Sequence, residues 1–289
     1  MGADEVKEPL YVCVYVPEFA TQSLTRLRPE LSHLPTVVLE GDPPLEQVCS
    51  ANALALQLGV TQGMTRAGLD SFPALTVLRR STAEESGARA ALLEAAGGFT
   101  PRVEVQASSA SAFVMVLDIT GSTLIFGPPQ RSVQSIARAV ASLRFVVQLS
   151  ASANFRAAVS IAPSARTAPI VVPLHQEAEH LQHLPLSALN PTQEQSGMLA
   201  LWGLRTLGEL AALPEVELVV RLGQTGKRLR LLARGERIVA VPLASDERRH
   251  DIGTVKSYSS TFLRYALRDP RFGAELRAEA AALLSDADG

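Results

Sequence analysis

Short apolar runs alternate with segments of helical spacing in the first 172 residues of the chain. The run LYVCVYV at residues 10–16 has the length and the β-branched content of a strand that is buried on both faces, and Pro17 ends it. The run ALTVLRR at 74–80 predicts a second strand. Further strands are predicted at residues 36–40, at 156–162 and twice within 111–127, where a polar turn joins two apolar halves.

Segments with helical spacing separate these strands. Thr82 is predicted to begin a helix, because Glu85 follows three residues later and completes a capping box. In the segment 131–147 the apolar side chains recur on one helical face, as expected of a helix that covers a sheet. Further helices are predicted at residues 21–31 and at 45–59, where Gly59 ends the helix. Strands that alternate with helices indicate a mixed α/β protein.

The pattern changes after about residue 173, because short helical segments punctuated by glycine replace the apolar strands. The sequence LWGLRTLGEL at residues 201–210 has the rhythm of a helix-hairpin-helix unit. In such a unit a turn at a glycine, here Gly203, lets backbone N–H groups at a helix start approach a phosphate. This part of the chain is therefore a candidate DNA-binding region.

The segment 221–237 is basic in a chain whose formal net charge is −2. It carries six cationic side chains and one acidic side chain, Glu236, and so has a local charge of +5. We interpret it as a surface that contacts DNA phosphates without reading bases, because no aromatic side chains interleave with the charges. A solvated basic helix face is the alternative interpretation. The predicted DNA-binding residues are Gly203, Arg205, Arg221, Gly223, Gly226, Lys227, Arg228 and Arg230.

Composition agrees with a folded globular protein, since 47% of the 289 residues are hydrophobic and 19% are charged. No apolar run approaches the roughly 20 residues that span a bilayer, and the polar N-terminus lacks the pattern of a signal peptide. We therefore expect a cytoplasmic protein, nucleoid-associated when bound to DNA, with no membrane partner. Cys13 and Cys49 are expected to be buried free thiols. No metal and no cofactor are predicted.

Several segments occur in the order found in a known family. They follow the first strand and are VCSANALALQLGVTQGM (48–64), LDITGSTLIFG (117–127), VSIAPS (159–164) and WGLRTLGELAALP (202–214). In order and spacing they resemble the Y-family (UmuC-type) translesion DNA polymerases, and within that family the catalytically degenerate ImuB branch. The resemblance covers about residues 10–241.

The resemblance implies a mixed α/β palm with an inserted small fingers subdomain, and an all-α helix-hairpin-helix thumb. The implied palm consists of residues 9–17 and 74–172, and the fingers consist of residues 18–73. Residues 173–240 are the implied thumb. Residues 241–289 are a short tail in which the family's little-finger domain is not complete.

An active member of this family holds two Mg²⁺ ions with three carboxylates. Matched to that pattern, this chain has Tyr15 at the first ligand position and Phe113 and Val114 at the other two. A phenol and two apolar side chains are poor ligands for a hard cation. Glu18 and Glu104 are the conceivable substitutes, whereas Asp118 is expected to form a turn.

The positions that reach the incoming triphosphate in the family are altered in the same way. Ala53 and Leu56 stand where the fingers supply a Tyr and an Arg. Ala165 stands in place of a palm Lys, with Arg166 next to it. The resemblance therefore implies that the chain does not bind an incoming nucleotide.

Three functional hypotheses follow from the sequence. The first is a non-catalytic, ImuB-like adaptor for translesion synthesis and SOS mutagenesis, which is not an enzyme and binds primer–template DNA weakly through phosphates. Its expected protein partners are an error-prone polymerase and RecA-like components of the mutasome. The alternatives are an active error-prone polymerase with relocated metal ligands, and an unrelated α/β protein with a helical DNA-binding appendage.

Overall fold

In the computed structural model, which describes residues 8–72, 74–237 and 255–287, a five-stranded sheet organises the first part of the chain. We call it the large sheet, and its strand order is β5-β6-β1-β7-β8. β1 lies at the centre and is antiparallel to both β6 and β7, whereas β7 and β8 are parallel. The strands are β1 (Tyr11–Pro17), β5 (Val103–Ser108), β6 (Ala112–Asp118), β7 (Gln148–Ser152) and β8 (Ile170–Val171).

A second, three-stranded sheet has the order β3-β2-β4. Its strands are β2 (Thr36–Glu40), β3 (Gln47–Ala51) and β4 (Thr76–Arg79). β2 is antiparallel to β3 and parallel to β4. The sequence places β4 in the implied palm and β2 in the implied fingers, whereas in the structure these two strands pair in this second sheet.

Helices complete the first of two compact units, which spans residues 1–238. Those around the sheets are α1 (Phe19–Thr25), α2 (Ala53–Gln57), α3 (Thr82–Gly97), α4 (Thr123–Phe126), α5 (Pro129–Ser142) and α6 (Phe155–Ile161). Those that follow are α7 (Glu177–Leu181), α8 (Gln193–Leu201), α9 (Leu207–Ala212) and α10 (Glu215–Ala233).

The second unit, residues 239–289, contains α11 (Val255–Ala266) and α12 (Gly273–Ala287) in its described part. Within the described ranges of the whole chain, no helix combines the length and apolar character needed to cross a membrane.

Both faces of the large sheet are covered. On one face, Leu92 of α3 and Ile136 of α5 share a buried core with Met115 of β6. On the other face, Ala158 of α6 packs with Cys13 of β1. β1 is therefore buried on both sides, as its continuous apolar run predicts.

Residues 173–237, which we call the helical region, contain helices α7 to α10. These helices enclose a core of their own. Leu199, Leu207 and Leu218 are buried in it, and Ala157 and Ile161 of α6 belong to the same cluster. Because α6 contributes to this core and to the core on one face of the large sheet, the helical region packs against the sheet through α6.

Asn154 ties the two regions together. Its Oδ1 accepts hydrogen bonds from the backbone N–H groups of Arg156 (2.9 Å) and Ala157 (3.3 Å), and so caps α6. Its Nδ2 donates to the carbonyl oxygen of Gly235 at 2.8 Å. Gly235 has a φ of +69°, and a Cβ at this position would lie 2.6 Å from the Cβ of Glu177. The end of the helical region is thus bonded to Asn154 at the start of α6, and its close approach to α7 requires glycine.

Three sequence predictions of secondary structure are wrong in part. The segment 45–59, predicted as one helix, begins with strand β3 and continues as the short helix α2, because β3 pairs with β2 and buries Val48 and Cys49. Only the first half of 111–127 is a strand, and α4 follows the turn. The helix α3 is capped by Ser81, whose Oγ accepts from the N–H of Glu84 at 3.3 Å, and not by Thr82.

The segment 156–162, predicted as a strand, lies in helix α6 and the turn that follows it. Its apolar residues face two cores, because Ala158 points to the large sheet whereas Ala157 and Ile161 point to the helical region. A helix that is apolar on most of its circumference lacks the periodic polar face that identifies helices in a sequence.

Candidate functional site

The pairing of β1 with β6 decides where the expected metal-ligand positions lie. Tyr15 is directly opposite Val114 on β6 and directly opposite Gln148 on β7. These side chains share the face of the large sheet that α6 covers. Burial raises the pKa of the Tyr15 phenol, and the negative charge of Glu18 adds to that shift.

Phe113, the remaining expected metal-ligand position, lies on the opposite face of the large sheet. Its side chain is fully buried and stacks on Phe19, with the two ring centroids 5.2 Å apart. Adjacent residues of a strand point to opposite faces. The structure therefore brings Tyr15 and Val114 together and places Phe113 in the core.

Glu18, one of the two carboxylates considered as a substitute ligand, is already engaged. It occupies the N-cap position of α1 in the left-handed conformation, with φ 46° and ψ 49°, and its side chain makes no capping bond to that helix. Its Oε2 accepts hydrogen bonds from the Oγ of Ser50 and from the backbone N–H of Ala51, both at 3.0 Å. Because both donors belong to β3, Glu18 joins the second sheet to the end of β1.

The other carboxylates near these strands are also paired. Glu104 is exposed on β5, opposite Val116, and its Oε1 accepts from the amide of Gln106 at 2.6 Å. Asp118 lies 3.0 Å from the guanidinium of Arg102. Its Oδ1 also accepts from the backbone N–H of Thr120 at 2.9 Å, which fits the expected turn-forming role.

These residues do not fit a pair of Mg²⁺ ions. Within residues 8–72, 74–237 and 255–287, no three His, Cys, Asp or Glu side chains cluster as metal ligands. The side chains at the expected positions are one phenol and two hydrocarbons. None of them offers the carboxylate oxygen that hard cations prefer. We therefore assign no step of a reaction to a metal ion in this chain.

The expected nucleotide-contacting positions carry no polar side-chain group. Ala53 begins α2, and Leu56 lies on the same helix with 44% of its surface exposed. Ala165 is buried at the end of a 3-10 turn, Ala162–Ser164, and the neighbouring Arg166 is exposed. That these three positions do not contact a triphosphate stays a prediction.

Two glycine hairpins shape the helical region. Gly203, with a φ of +74°, joins α8 to the turn before α9, and Arg205 is exposed in that turn. Thr206 caps α9 in a capping box with Glu209. The expected hairpin is therefore present, and its second helix has six residues.

The second hairpin lies within α10. Gly223 adopts a φ of 61° and a ψ of −152°, which divides α10 into two helical segments. Gly226 is buried, and a Cβ there would lie 2.7 Å from the carbonyl oxygen of Leu218. Gly226 therefore allows the two segments to approach each other, whereas the sequence placed it among the phosphate-contacting residues.

The basic segment is partly neutralised by a residue outside it. The carboxylate of Glu215 lies 2.8 Å from the ammonium group of Lys227 and 3.6 Å from the guanidinium of Arg230. The Nε of Arg230 also donates to the carbonyl oxygen of Leu213 at 2.8 Å. Sequence reasoning missed Glu215, because it lies twelve residues before Lys227 and meets it only after the chain turns at Gly223.

The remaining cations of the segment have different surroundings. The guanidinium of Arg221 lies 5.2 Å from the ring centroid of Trp202, and Arg234 pairs with Glu236 at 2.9 Å. Arg228 and Arg237 are exposed. Within the described ranges, neither makes an ion pair with an acidic side chain. The number of cations that this surface can offer to a ligand is thus smaller than the formal charge of +5 implies.

Comparison with known proteins identifies the family. The model of the impB/mucB/samB family matches residues 14–163, which is about half of the chain. The chain belongs to this family, the UmuC-type Y-family of DNA polymerases. No curated protein matches the chain significantly.

Solved structures of Y-family polymerases share this fold. The insertion ternary complex of Dbh DNA polymerase matches with a TM-score of 0.69 and 18% identity, over 80% of this chain and 69% of that one. DinB from Sulfolobus solfataricus matches with a TM-score of 0.63 and 18% identity, over 78% and 67% of the two chains. A Y-family polymerase chimera built on Dbh matches with a TM-score of 0.66 and 17% identity, over 90% and 80%.

These matches confirm the Y-family prediction and the mixed α/β fold class, and they correct the prediction that the chain is not an enzyme. Membership in a family of DNA polymerases points to a DNA polymerase, and the absence of a metal-ligand cluster among the described residues does not establish inactivity. The narrower placement in the ImuB branch stays a prediction, because identities near 18% carry the fold alone.

Proposed function

We propose that this Y-family protein binds primer–template DNA through its helical region and acts in translesion synthesis. The observation that carries the proposal is the set of exposed cations, among them Arg205 and Arg228, on a helical region whose chain turns at Gly203 and Gly223. Such a surface suits the phosphate backbone and not the base edges. Dbh, a structural neighbour, was solved in a ternary complex, and the neighbour's DNA polymerase name agrees with this assignment.

The first experiment is a fluorescence-anisotropy titration of labelled primer–template at several salt concentrations. Affinity is expected to fall steeply with salt, because released counterions drive phosphate binding. The double variant Arg228→Gln/Arg237→Gln removes two exposed cations of the basic segment. It should bind more weakly and should lower the slope of log K against log salt by about 2 if each cation contacts one phosphate. The absence of binding by the wild-type chain at low salt would overturn the proposal.

A matched control removes two exposed charges elsewhere. Arg89 on α3 and Arg138 on α5 are exposed on helices that cover the other face of the large sheet. Arg89→Gln/Arg138→Gln changes the net charge by the same amount as the test variant. An equal loss of DNA affinity in both double variants would mean that binding depends on total charge and not on the helical region.

Primer extension with Mg²⁺ and deoxynucleotides tests the catalytic activity to which family membership points. Family membership predicts extension, which would require metal ligands other than the side chains at the three expected positions. Glu104 is the first carboxylate to examine, because it lies on β5 beside the strand that carries Val114. Loss of extension in Glu104→Gln, with DNA affinity unchanged, would support the relocated-ligand hypothesis. Binding without extension by the wild-type chain would retain the DNA-binding role and remove the polymerase role.

The protein partners are a separate part of the proposal. An error-prone polymerase and a RecA-like protein are the partners that the resemblance of the sequence implies, and we propose them on that basis. Co-sedimentation of each candidate with the chain, in the presence and absence of primer–template, measures such an association. Partner binding only in the presence of DNA would indicate recruitment through the DNA and not through a direct protein contact.

A further inference from the structure

A cavity lies where α6 of the large sheet meets the helical region. Its volume is about 310 Å³. Water occupies about 30 Å³ per molecule in the liquid, so the cavity has the volume of roughly ten water molecules. Its polar lining comes from Arg156 and Ser160 on α6, Asn190 before α8, Thr192 and Gln195 at the start of α8, and Thr225 and Arg228 on α10.

The charge of this cavity is positive. Arg156 and Arg228 both line it, and none of its lining residues is acidic. Within the part of the chain that the structure describes, neither arginine pairs with a carboxylate. The guanidinium of Arg156 is held 5.6 Å from the ring centroid of Phe155. By contrast, Lys227 and Arg230 on the same α10 are neutralised by Glu215.

Polar groups beside the two arginines add hydrogen-bond donors. Gln195 completes the capping box of α8, and its Oε1 accepts from the backbone N–H of Thr192 at 2.9 Å. That bond uses the oxygen of the Gln195 amide, so the Nε2 group remains as a donor. The wall between these groups is apolar and includes Val159 and Leu232. Donors and cations therefore converge on a space that offers no anion of its own.

We propose that this cavity binds a phosphoryl group, with Arg156 and Arg228 as its cationic ligands and Gln195 as a neutral donor. A guanidinium presents planar N–H donors that match phosphate oxygens, and two of them on different elements can bind one anion from two sides. The volume leaves room for the remainder of a phosphate ester beside the apolar wall. The phosphoryl group belongs either to a free phosphate compound or to the backbone of bound DNA, and in the second case the inference rests on the proposed function.

The test measures phosphate binding to the full chain. The probes are inorganic phosphate and a deoxynucleoside triphosphate without metal, each compared with chloride at matched ionic strength, and the readouts are thermal unfolding and calorimetric titration. Phosphate should raise the midpoint of unfolding, because a ligand of the native state stabilises it. Arg156→Gln and Arg228→Gln should each weaken binding by roughly tenfold, as expected for loss of a charged hydrogen bond.

Two further variants keep the result interpretable. Arg228→Lys retains the charge and loses the planar donor pair, so it should bind with intermediate affinity. Arg89→Gln removes an exposed charge on α3 and should leave phosphate affinity unchanged. Equal stabilisation by phosphate and chloride, or an equal loss of affinity in Arg89→Gln, would overturn the proposal.

The DNA titration then identifies the source of the phosphate. If Arg156→Gln weakens both phosphate and primer–template binding, the cavity binds the DNA backbone. If it weakens phosphate binding alone, the ligand is a free phosphate compound. The proposed function fails separately, when the wild-type chain does not bind primer–template at all, and that outcome leaves the phosphate titration unaffected.

Discussion

The carboxylate of Glu215 and the ammonium group of Lys227 lie 2.8 Å apart, although twelve residues separate them in the chain. The hydrogen bond from Lys227 lowers the pKa of Glu215, and the charges of Lys227 and Arg230 contribute to the same shift. Glu215 is therefore ionised at neutral pH and reduces the positive charge that the helical region presents.

Replacing Glu215 by glutamine should strengthen DNA binding, because it releases two cations for contact with phosphates. Surface ion pairs are weak and screened by salt, so the expected gain is roughly two- to fivefold at low salt and smaller at high salt. Anisotropy titration with primer–template measures it. Glu84→Gln on α3 is the matched control, and an equal gain in that variant would attribute the effect to net charge alone.

The close approach at Gly226 predicts a loss of stability on substitution. A Cβ at this position would lie 2.7 Å from the carbonyl oxygen of Leu218 and 2.8 Å from the Cβ of Leu222. Gly226→Ala should therefore lower the free energy of unfolding by about 1–3 kcal/mol, as overpacking does in other cores. Urea unfolding measures this change.

Gly197 provides the control for that experiment. It lies inside α8, and a Cβ there would meet nothing within 4 Å. Gly197→Ala should leave stability unchanged or raise it by about 0.5–1 kcal/mol, because alanine favours the helix and restricts the unfolded chain. Similar destabilisation by both alanines would show that the contact at Gly226 is not the cause.

The position of Phe113 predicts a structural role. Phe113 is fully buried and stacks on Phe19, so Phe113→Ala should cost about 3–5 kcal/mol of stability through the cavity that it leaves. Ile125 is 78% exposed, and Ile125→Ala should change stability by less than about 0.5 kcal/mol. Thermal and urea unfolding compare the two variants. A cost near zero for Phe113→Ala would contradict its placement in the core.

The two thiols should be unreactive in the native protein. Burial raises the pKa of Cys13 from 9.0 to about 12, and burial with the nearby Glu40 raises that of Cys49 to about 11. At pH 8 the thiolate fraction of native Cys13 is then roughly a thousandfold smaller than in the unfolded chain. A chromogenic thiol reagent should react with both cysteines in urea and with neither in buffer over the same time.

The same pKa values predict how alkali affects stability. A thiol whose folded pKa is raised favours the native state fully below its unfolded pKa of 9.0, and this contribution is lost as pH rises towards 12. The free energy of unfolding should fall over this window, and it should fall less in Cys13→Ala. If the free energy of unfolding of the wild-type chain and of Cys13→Ala depended on pH identically, burial would not be what keeps the Cys13 thiol protonated.

The sequence predicts those elements whose residues already carry their own pattern. The strands β1 and β2 are continuous apolar runs, and α5 has a single apolar face with Val133, Ile136 and Val140 buried. β3 was missed because its own alternation is weak and it becomes a strand by pairing with β2. β5 was missed although its residues alternate, because the run is short and its pairing with β6 is irregular. The helix α6 was mistaken for a strand because two different cores bury it.

In the candidate sites, too, the sequence reveals local motifs and not contacts between distant segments. The glycines at 203 and 223 have the positive φ values that their turns require, and a local motif suffices to find them. The neutralising role of Glu215 and the cavity shared by Arg156 and Arg228 depend on contacts between distant segments. Charge counted along a segment therefore overstates the cationic surface beside Glu215. It also misses the positive charge of the cavity, because Arg156 lies far from the basic segment in the sequence.

The amide of Asn154 has a consequence for how the molecule moves. The same side chain caps α6 through its oxygen and holds the carbonyl of Gly235 through its nitrogen, so one residue fixes both the start of α6 and the end of the helical region. Arg156 sits in the first turn of α6, and Asn154 follows β7, the strand next to the edge strand β8. A single amide thus links the end of the helical region to the turn that carries Arg156, and its removal would release both at once.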